Sequence, residues 1–126
     1  MHVRIQLLAM AAICCLVACG RDQAADKTEI ENTARNFIKK MAVLDDAALD
    51  WAVSLNRPGM KVVLEQARND PSKSDFPTPE ELENLSVELY DLDDDDAMVA
   101  MQLKGEVLSI QLKREDGRWL VSGMGQ

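Results

Sequence analysis

The stretch that decides the fold is AMVAMQLKGEVLSIQLKREDGRWLV, residues 97–121. Apolar side chains recur there at every second position: Ala97, Val99, Met101 and Leu103, then Leu108, Ile110 and Leu112, then Trp119 and Val121. A period of two belongs to a β-strand with one buried face. The interruptions, Lys104-Gly105 and Asp116-Gly117, have the length of two-residue hairpin turns, and Asp-Gly is a preferred type I′ sequence. Such turns fix register. The first sets Met101 opposite Leu108 and Val99 opposite Ile110, and the second sets Leu112 opposite Val121. Both put the apolar residues on a common face, as a half-buried sheet requires. Arg114 then falls beside Trp119, within reach of a cation–π contact.

Working upstream, Leu85, Val87 and Leu89 supply one more strand, which predicts a four-stranded antiparallel meander. Before it the period changes to that of a helix. Ile30, Ala34, Phe37, Met41 and Leu44 recur at spacings of four and three, with Ile38 beside them. Thr28-Glu29-Ile30-Glu31 reads as a capping box, so the helix is expected over 28–44. Asp45-Asp46 recaps a second helix, expected to run to about Leu55 and to stop at Asn56-Arg57-Pro58-Gly59. Trp51 lies off its main stripe, as core rim or exposed contact. Met60, Val63, Leu64 and Ala67 suggest a third, short helix, although Val62-Val63-Leu64 also suits a strand. Residues 69–79 hold three of the four prolines and read as a loop, with Phe76 as an anchor on the core or an exposed contact. Thr78-Pro79-Glu80-Glu81 is a second capping box, opening a short helical turn before the sheet. Two to three helices followed by a sheet, each with one apolar face, imply an α+β domain over 28–126 with the helices packed on one side.

The first residues carry a different message. Arg4 supplies a positive n-region, and Leu7 to Ala18 form an uncharged run of signal-peptide length, too short for a bilayer span. Leu16-Val17-Ala18-Cys19-Gly20 resembles the lipobox of bacterial lipoproteins, in which a small residue precedes the lipidated cysteine. Cys14 follows Ile13 and Cys15 follows Cys14, so only Cys19 fits. The resemblance implies a signal peptide over 1–18, cleavage between Ala18 and Cys19, and a diacylglyceryl group on Cys19 with further acylation of its amine. It also implies palmitate-like chains inserted in a membrane, each buried methylene contributing about 0.8 kcal/mol. Gly20 in place of aspartate implies the periplasmic face of the outer membrane, or the cell membrane in a monoderm source. Residues 19–27 read as lipidated cysteine and tether.

The chain holds 14 basic and 22 acidic residues. Without Arg4 of the leader, 13 remain against 22, a net charge near −9. Such a domain is repelled by nucleic acid and by anionic lipid, and favours a basic partner or no particular partner. The single histidine is His2, and the three cysteines are Cys14, Cys15 and Cys19. After maturation neither an imidazole nor a free thiol would remain for a Ser-His-Asp or Cys-His site, or for a zinc or copper(II) site that depends on them. No cofactor or metal is expected, and a non-enzymatic module is the expected class. Catalysis by carboxylates alone stays open.

Asp91-Leu92-Asp93-Asp94-Asp95-Asp96 is the most conspicuous cluster. It reads as a solvated hairpin tip, as an acidic finger entering a basic cleft, or as an oxygen-only calcium site. The spacing is not that of an EF-hand: counted from Asp91, the sixth position is Asp96 rather than glycine and the twelfth is Gln102 rather than glutamate. Asp45-Asp46 and Glu80-Glu81 are explained by capping. Met98 and Met101 face opposite sides of a strand, which disfavours a copper(I) pair.

The order of elements, with the ending KREDGRWLVSGM, resembles small NTF2-like (cystatin-like) lipoprotein domains. It departs from them in having no placeable strand between the second and third helices. A second resemblance is to the two-helix, antiparallel-sheet architecture of small outer-membrane assembly lipoproteins. The NTF2-like resemblance implies a cone between helix and sheet, which Tyr90 or Asp50 could reach. Three functional expectations follow: a membrane-anchored periplasmic binding or accessory lipoprotein; an inhibitor or immunity protein against a basic cell-wall hydrolase or toxin; or an NTF2-like small-ligand binder or enzyme. The last requires a closed pocket between helix 28–44 and the sheet, not one filled by Phe37, Met41 and Ile110.

Overall fold

The computed structural model describes residues 23–74, 76–103 and 105–125. Cys19, Ala18 and the leader lie outside the described residues. Four strands, β1 (Ser86–Asp93), β2 (Asp96–Leu103), β3 (Glu106–Glu115) and β4 (Arg118–Gly125), form one sheet in the order β1-β2-β3-β4. All neighbours are antiparallel. The predicted register holds: Met101 pairs with Leu108, Val99 with Ile110, Leu112 with Val121, and Arg114 with Trp119. Asp116 and Gly117 have φ of 53° and 78°, the paired positive values a type I′ turn needs.

Two irregularities bend the sheet. Tyr90 is an extra residue between the pairs Leu89–Val99 and Asp91–Met98, and Ser122 is extra between Leu112–Val121 and Gln111–Gly123. Each is a bulge, which strengthens the local twist. The first keeps Leu92, like Leu89, packed against the core although they are three positions apart.

Helix α1 (Gln23–Ala42) lies across the sheet with Ile30, Ala34, Phe37, Ile38 and Met41 buried, the stripe read from the spacing. It begins before Thr28, so residues 23–27, expected in the tether, form its first turns. Thr28 is no N-cap; its hydroxyl donates to Ala24 O at 3.1 Å from within the helix. Glu31 does not close a capping box either. Its carboxylate accepts from Leu89 N at 2.9 Å, covering a donor on edge strand β1. The helix ends two residues earlier than expected. Leu44 takes a φ of 54°, while Leu44 N donates to Met41 O and Asp45 N to Lys40 O, the two bonds of a Schellman turn.

The expected second helix is two 3₁₀ turns, Asp46–Trp51 and Ser54–Asn56. Between them Ala52 and Val53 are extended, because this segment runs along β4: Ala52 bridges Val121 in parallel, and Val53 N donates to Val121 O at 2.9 Å. The expected third helix is α2 (Arg57–Asn69), longer than predicted. Pro58 starts it rather than stopping its predecessor, since a first-turn residue has no intrahelical use for its N–H. A further 3₁₀ turn covers Pro71–Lys73. Thr78 caps as predicted, its Oγ1 accepting from Glu81 N at 3.3 Å. Phe76 and Trp51 both pack partly buried against the core.

Candidate binding groove

The space between α1 and the sheet is full. Phe37, Met41 and Ile110 are all buried there and occupy the place where the closed pocket of an NTF2-like ligand site was expected. Tyr90 and Asp50 do not face it. Tyr90 is half exposed, its hydroxyl 3.4 Å from Ser109 Oγ, and Asp50 is exposed on its 3₁₀ turn.

The concavity lies instead at the edge of this interface, where α1, the Ser54–Asn56 turn, α2, the proline loop and β4 meet. Phe37 and Met41 of α1 and Val121 to Met124 of β4 form its floor and one wall. Leu55, Met60, Val63 and Phe76 form the rest. Its volume is about 480 Å³, within the range of small-ligand sites. None of the described residues lining it ionises. Its side-chain polar groups are Asn56 and Ser122, and Asn56 Nδ2 already donates to Ser122 O at 2.8 Å.

The rim is unusual for its apolar exposure. Leu55 is 90% exposed, Val63 45% and Met124 42%. A leucine so exposed on a flexible loop would be unremarkable, but this one is braced on both sides. Ser54 N donates to both Glu115 carboxylate oxygens, at 3.3 and 3.1 Å, and Ser54 Oγ also donates to Glu115. On the other side stand the Asn56–Ser122 bond and Arg57 Nε donating to Ala52 O at 3.1 Å. Rigid apolar rims lose little conformational entropy when a ligand docks.

Glu115 therefore serves as a remote cap. The bonds from the Ser54 hydroxyl, then from its N–H, hold its carboxyl below the ordinary value of 4.5. Asp45 is likewise held below 3.8, chiefly by Ala47 N, with Lys40 adding attraction. For a depressed carboxyl the stabilisation is present above the unfolded pKa and lost as pH falls through the folded one. The rim brace should thus weaken below about pH 4.5. In urea denaturation a Glu115→Gln protein should be less stable than the wild type at pH 7, and the difference should narrow by pH 3. An unchanged difference would remove the carboxylate from the brace.

The acidic stretch is a tight hairpin tip. Asp93 pairs with Asp96, Asp94 has a φ of 40°, and Asp91, Asp93, Asp94, Asp95 and Asp96 are all exposed. Asp95 is tied back to β3: its carbonyl accepts from Arg114 N at 2.9 Å and its carboxylate lies 3.7 Å from Arg114 Nε. Among the described residues no three His, Cys, Asp or Glu side chains are grouped to hold a metal ion. Asp46 pairs with Arg68 at 2.6 Å, and Met98 is half-buried while Met101 is buried on the opposite face.

The cation–π contact is present, with Arg114 Cζ 4.9 Å from the Trp119 ring centroid. Its third member was missed by sequence reasoning. Asp26 Oδ1 accepts from Arg114 at 2.8 Å and from Trp119 Nε1 at 3.3 Å. No local signal marks Asp26, because it lies among polar residues that also suit a tether.

No family model, no curated protein and no solved structure matches this chain.

Proposed function

We propose that the protein is a lipid-anchored periplasmic binding module, fixed to the membrane through Cys19 and using the groove beside β4 as its binding surface. The observation that carries this reading is an apolar concavity with a braced, exposed rim and no ionisable group among its described lining residues. Such a site offers desolvation energy and shape but no acid, base or nucleophile. The position of the anchor fits it. Cys19 precedes Gln23 by four positions, at most roughly 14 Å of chain. Phe37 and Met41 lie about 21 to 27 Å further along α1 at 1.5 Å per residue. The groove therefore lies towards the opposite end of α1 from the proposed tether.

The NTF2-like label belongs to the same proposal. Its support is the order of helices then sheet, and the Ala52–Val121 bridge in the place where the sequence offered no strand. The filled helix–sheet interface separates this chain from a ligand-enclosing member.

Two measurements test the reading. Intact-mass analysis of the membrane fraction should find a chain beginning at Cys19 with diacylglycerol attached, and Cys19→Ser should release the protein from that fraction. Titration with Nile red, a neutral apolar dye, should show saturable fluorescence that Val63→Asp weakens at least ten-fold. Equal dye binding by both proteins would remove the groove.

An inhibitor of a basic hydrolase or toxin is a second reading, favoured by the exposure of the 91–96 tip. Opposite charges speed association and lose that advantage in salt. Replacing Asp93, Asp94 and Asp96 by serine should abolish binding to such an enzyme; unaltered affinity would dismiss it.

A further inference from the structure

We propose that the groove takes an extended apolar peptide segment of a partner protein, which adds as a strand to the outer edge of β4 at Ser122–Gly125. The inference rests on the groove reading above and deepens it. β4 ends the sheet order, so among the described residues one side of it has no neighbouring strand. Residues 52–53 cover that side only at Val121, through the Ala52 bridge and the Val53 bond. The Ser122 carbonyl is occupied by Asn56. Beyond it the register decides which groups face outward. The two-residue hairpin makes Leu103–Glu106 a closing pair, and bonded and non-bonded pairs alternate from there. Ile110 thus directs its backbone groups to β2, and Gln111 directs its own to Gly123 of β4. Met124, opposite Ile110, is left with its N–H and carbonyl turned to the open edge.

The same residues, Ser122, Gly123 and Met124, line the groove. A strand laid along this edge would place alternate side chains against Leu55, Met60, Val63 and Phe76. This is the division of labour in strand addition, where backbone bonds hold the peptide and alternate pockets choose its side chains. A neutral small molecule would use the groove and leave Met124 unpaired. A second copy is disfavoured because it would bring two chains of the same negative charge together. The excess of 22 acidic over 14 basic residues favours a segment with basic flanks.

The probe is a fluorescein-labelled peptide of alternating valine and threonine, about seven residues long, with two lysines at each end. It is titrated into the protein and followed by anisotropy and by amide hydrogen exchange. Saturable binding is expected, with exchange at the Met124 amide slowed at least ten-fold. Val63→Asp should weaken binding more than ten-fold. Met124→Pro removes the edge donor and should weaken it roughly three- to ten-fold, the range of one hydrogen bond, without altering the thermal melt. Peptide bound with unchanged Met124 exchange would overturn strand addition and leave the groove standing. Nile red bound but no peptide bound would do the same. Self-association that the peptide displaces would assign the edge to a second copy, and loss of both ligands would sink the groove itself.

Discussion

Trp119→Ala is expected to lower folding stability by about 4 kcal/mol, the middle of the range for truncating a buried large aromatic. Trp119 is 1% exposed and belongs to the core beneath α1. The indole is more than filler. Its face carries Arg114 and its N–H reaches Asp26, so truncation also exposes a partly buried ion pair to whatever water enters the cavity. Trp119→Phe separates these contributions. It keeps most of the apolar volume and loses the N–H bond, so its cost should be nearer 1–2 kcal/mol. Urea denaturation followed by far-ultraviolet circular dichroism measures both, since backbone signal is independent of the remaining Trp51. A domain of this size has only about 5–15 kcal/mol in total, so Trp119→Ala should also melt tens of degrees lower. A loss below 1 kcal/mol would mean that the β3–β4 end of the sheet is not packed as described.

That end of the molecule was the most legible part of the sequence, for a physical reason. A two-residue turn leaves no freedom in register, and once Asp116-Gly117 is placed, Leu112–Val121 and Arg114–Trp119 follow without tertiary information. The bulges at Tyr90 and Ser122 were not legible, because an extra residue leaves no compositional mark. The start of α1 was misread through a coincidence of local chemistry. Thr28 and Glu31 have the types and spacing of a capping box, yet one bonds back into its own helix and the other reaches β1. Its end was missed because a Schellman turn ordinarily announces itself with glycine, and here Leu44 takes the left-handed position.

The groove was invisible for another reason. Its residues come from α1, the 54–60 segment, α2, the proline loop and β4, and no one segment has a motif. Phe76 was singled out from sequence as an apolar residue in a polar loop, whereas Phe37, Met41, Met60, Val63 and Val121 were read as the apolar faces of their separate elements. The acidic tip showed the opposite behaviour. It was conspicuous in composition, but the fold uses it as a turn with Asp95 fastened to Arg114. Composition registers charge density, whereas a binding surface depends on which chain segments the fold brings together.

Asp26→Ala should cost about 2–3 kcal/mol, which is large for a residue near the end of a helix. Exposed ion pairs contribute about 0–1 kcal/mol. This one is different because the side chains are only 16% and 22% exposed, and Asp26 accepts from two donors at once. Arg114 Nε is buried and has no hydrogen-bond partner among the described residues, with Asp95 at 3.7 Å attracting it but too distant to bond. Without Asp26 the guanidinium would rest on the Trp119 face with only Asp95 to balance it. Breaking one side of a buried pair costs about 3–5 kcal/mol, and partial exposure here reduces that. Asp26 in the first turn of α1 also complements the helix dipole, adding a few tenths. A double-mutant cycle with Arg114→Met isolates the pair. The double variant should cost less than the sum of the singles by about 1.5–2 kcal/mol, since each single leaves a charge stranded and the double leaves none. Additive singles would place Asp26 away from Arg114. The first turns of α1 would then be undocked from the sheet, and residues 23–27 would revert to the tether their composition suggested.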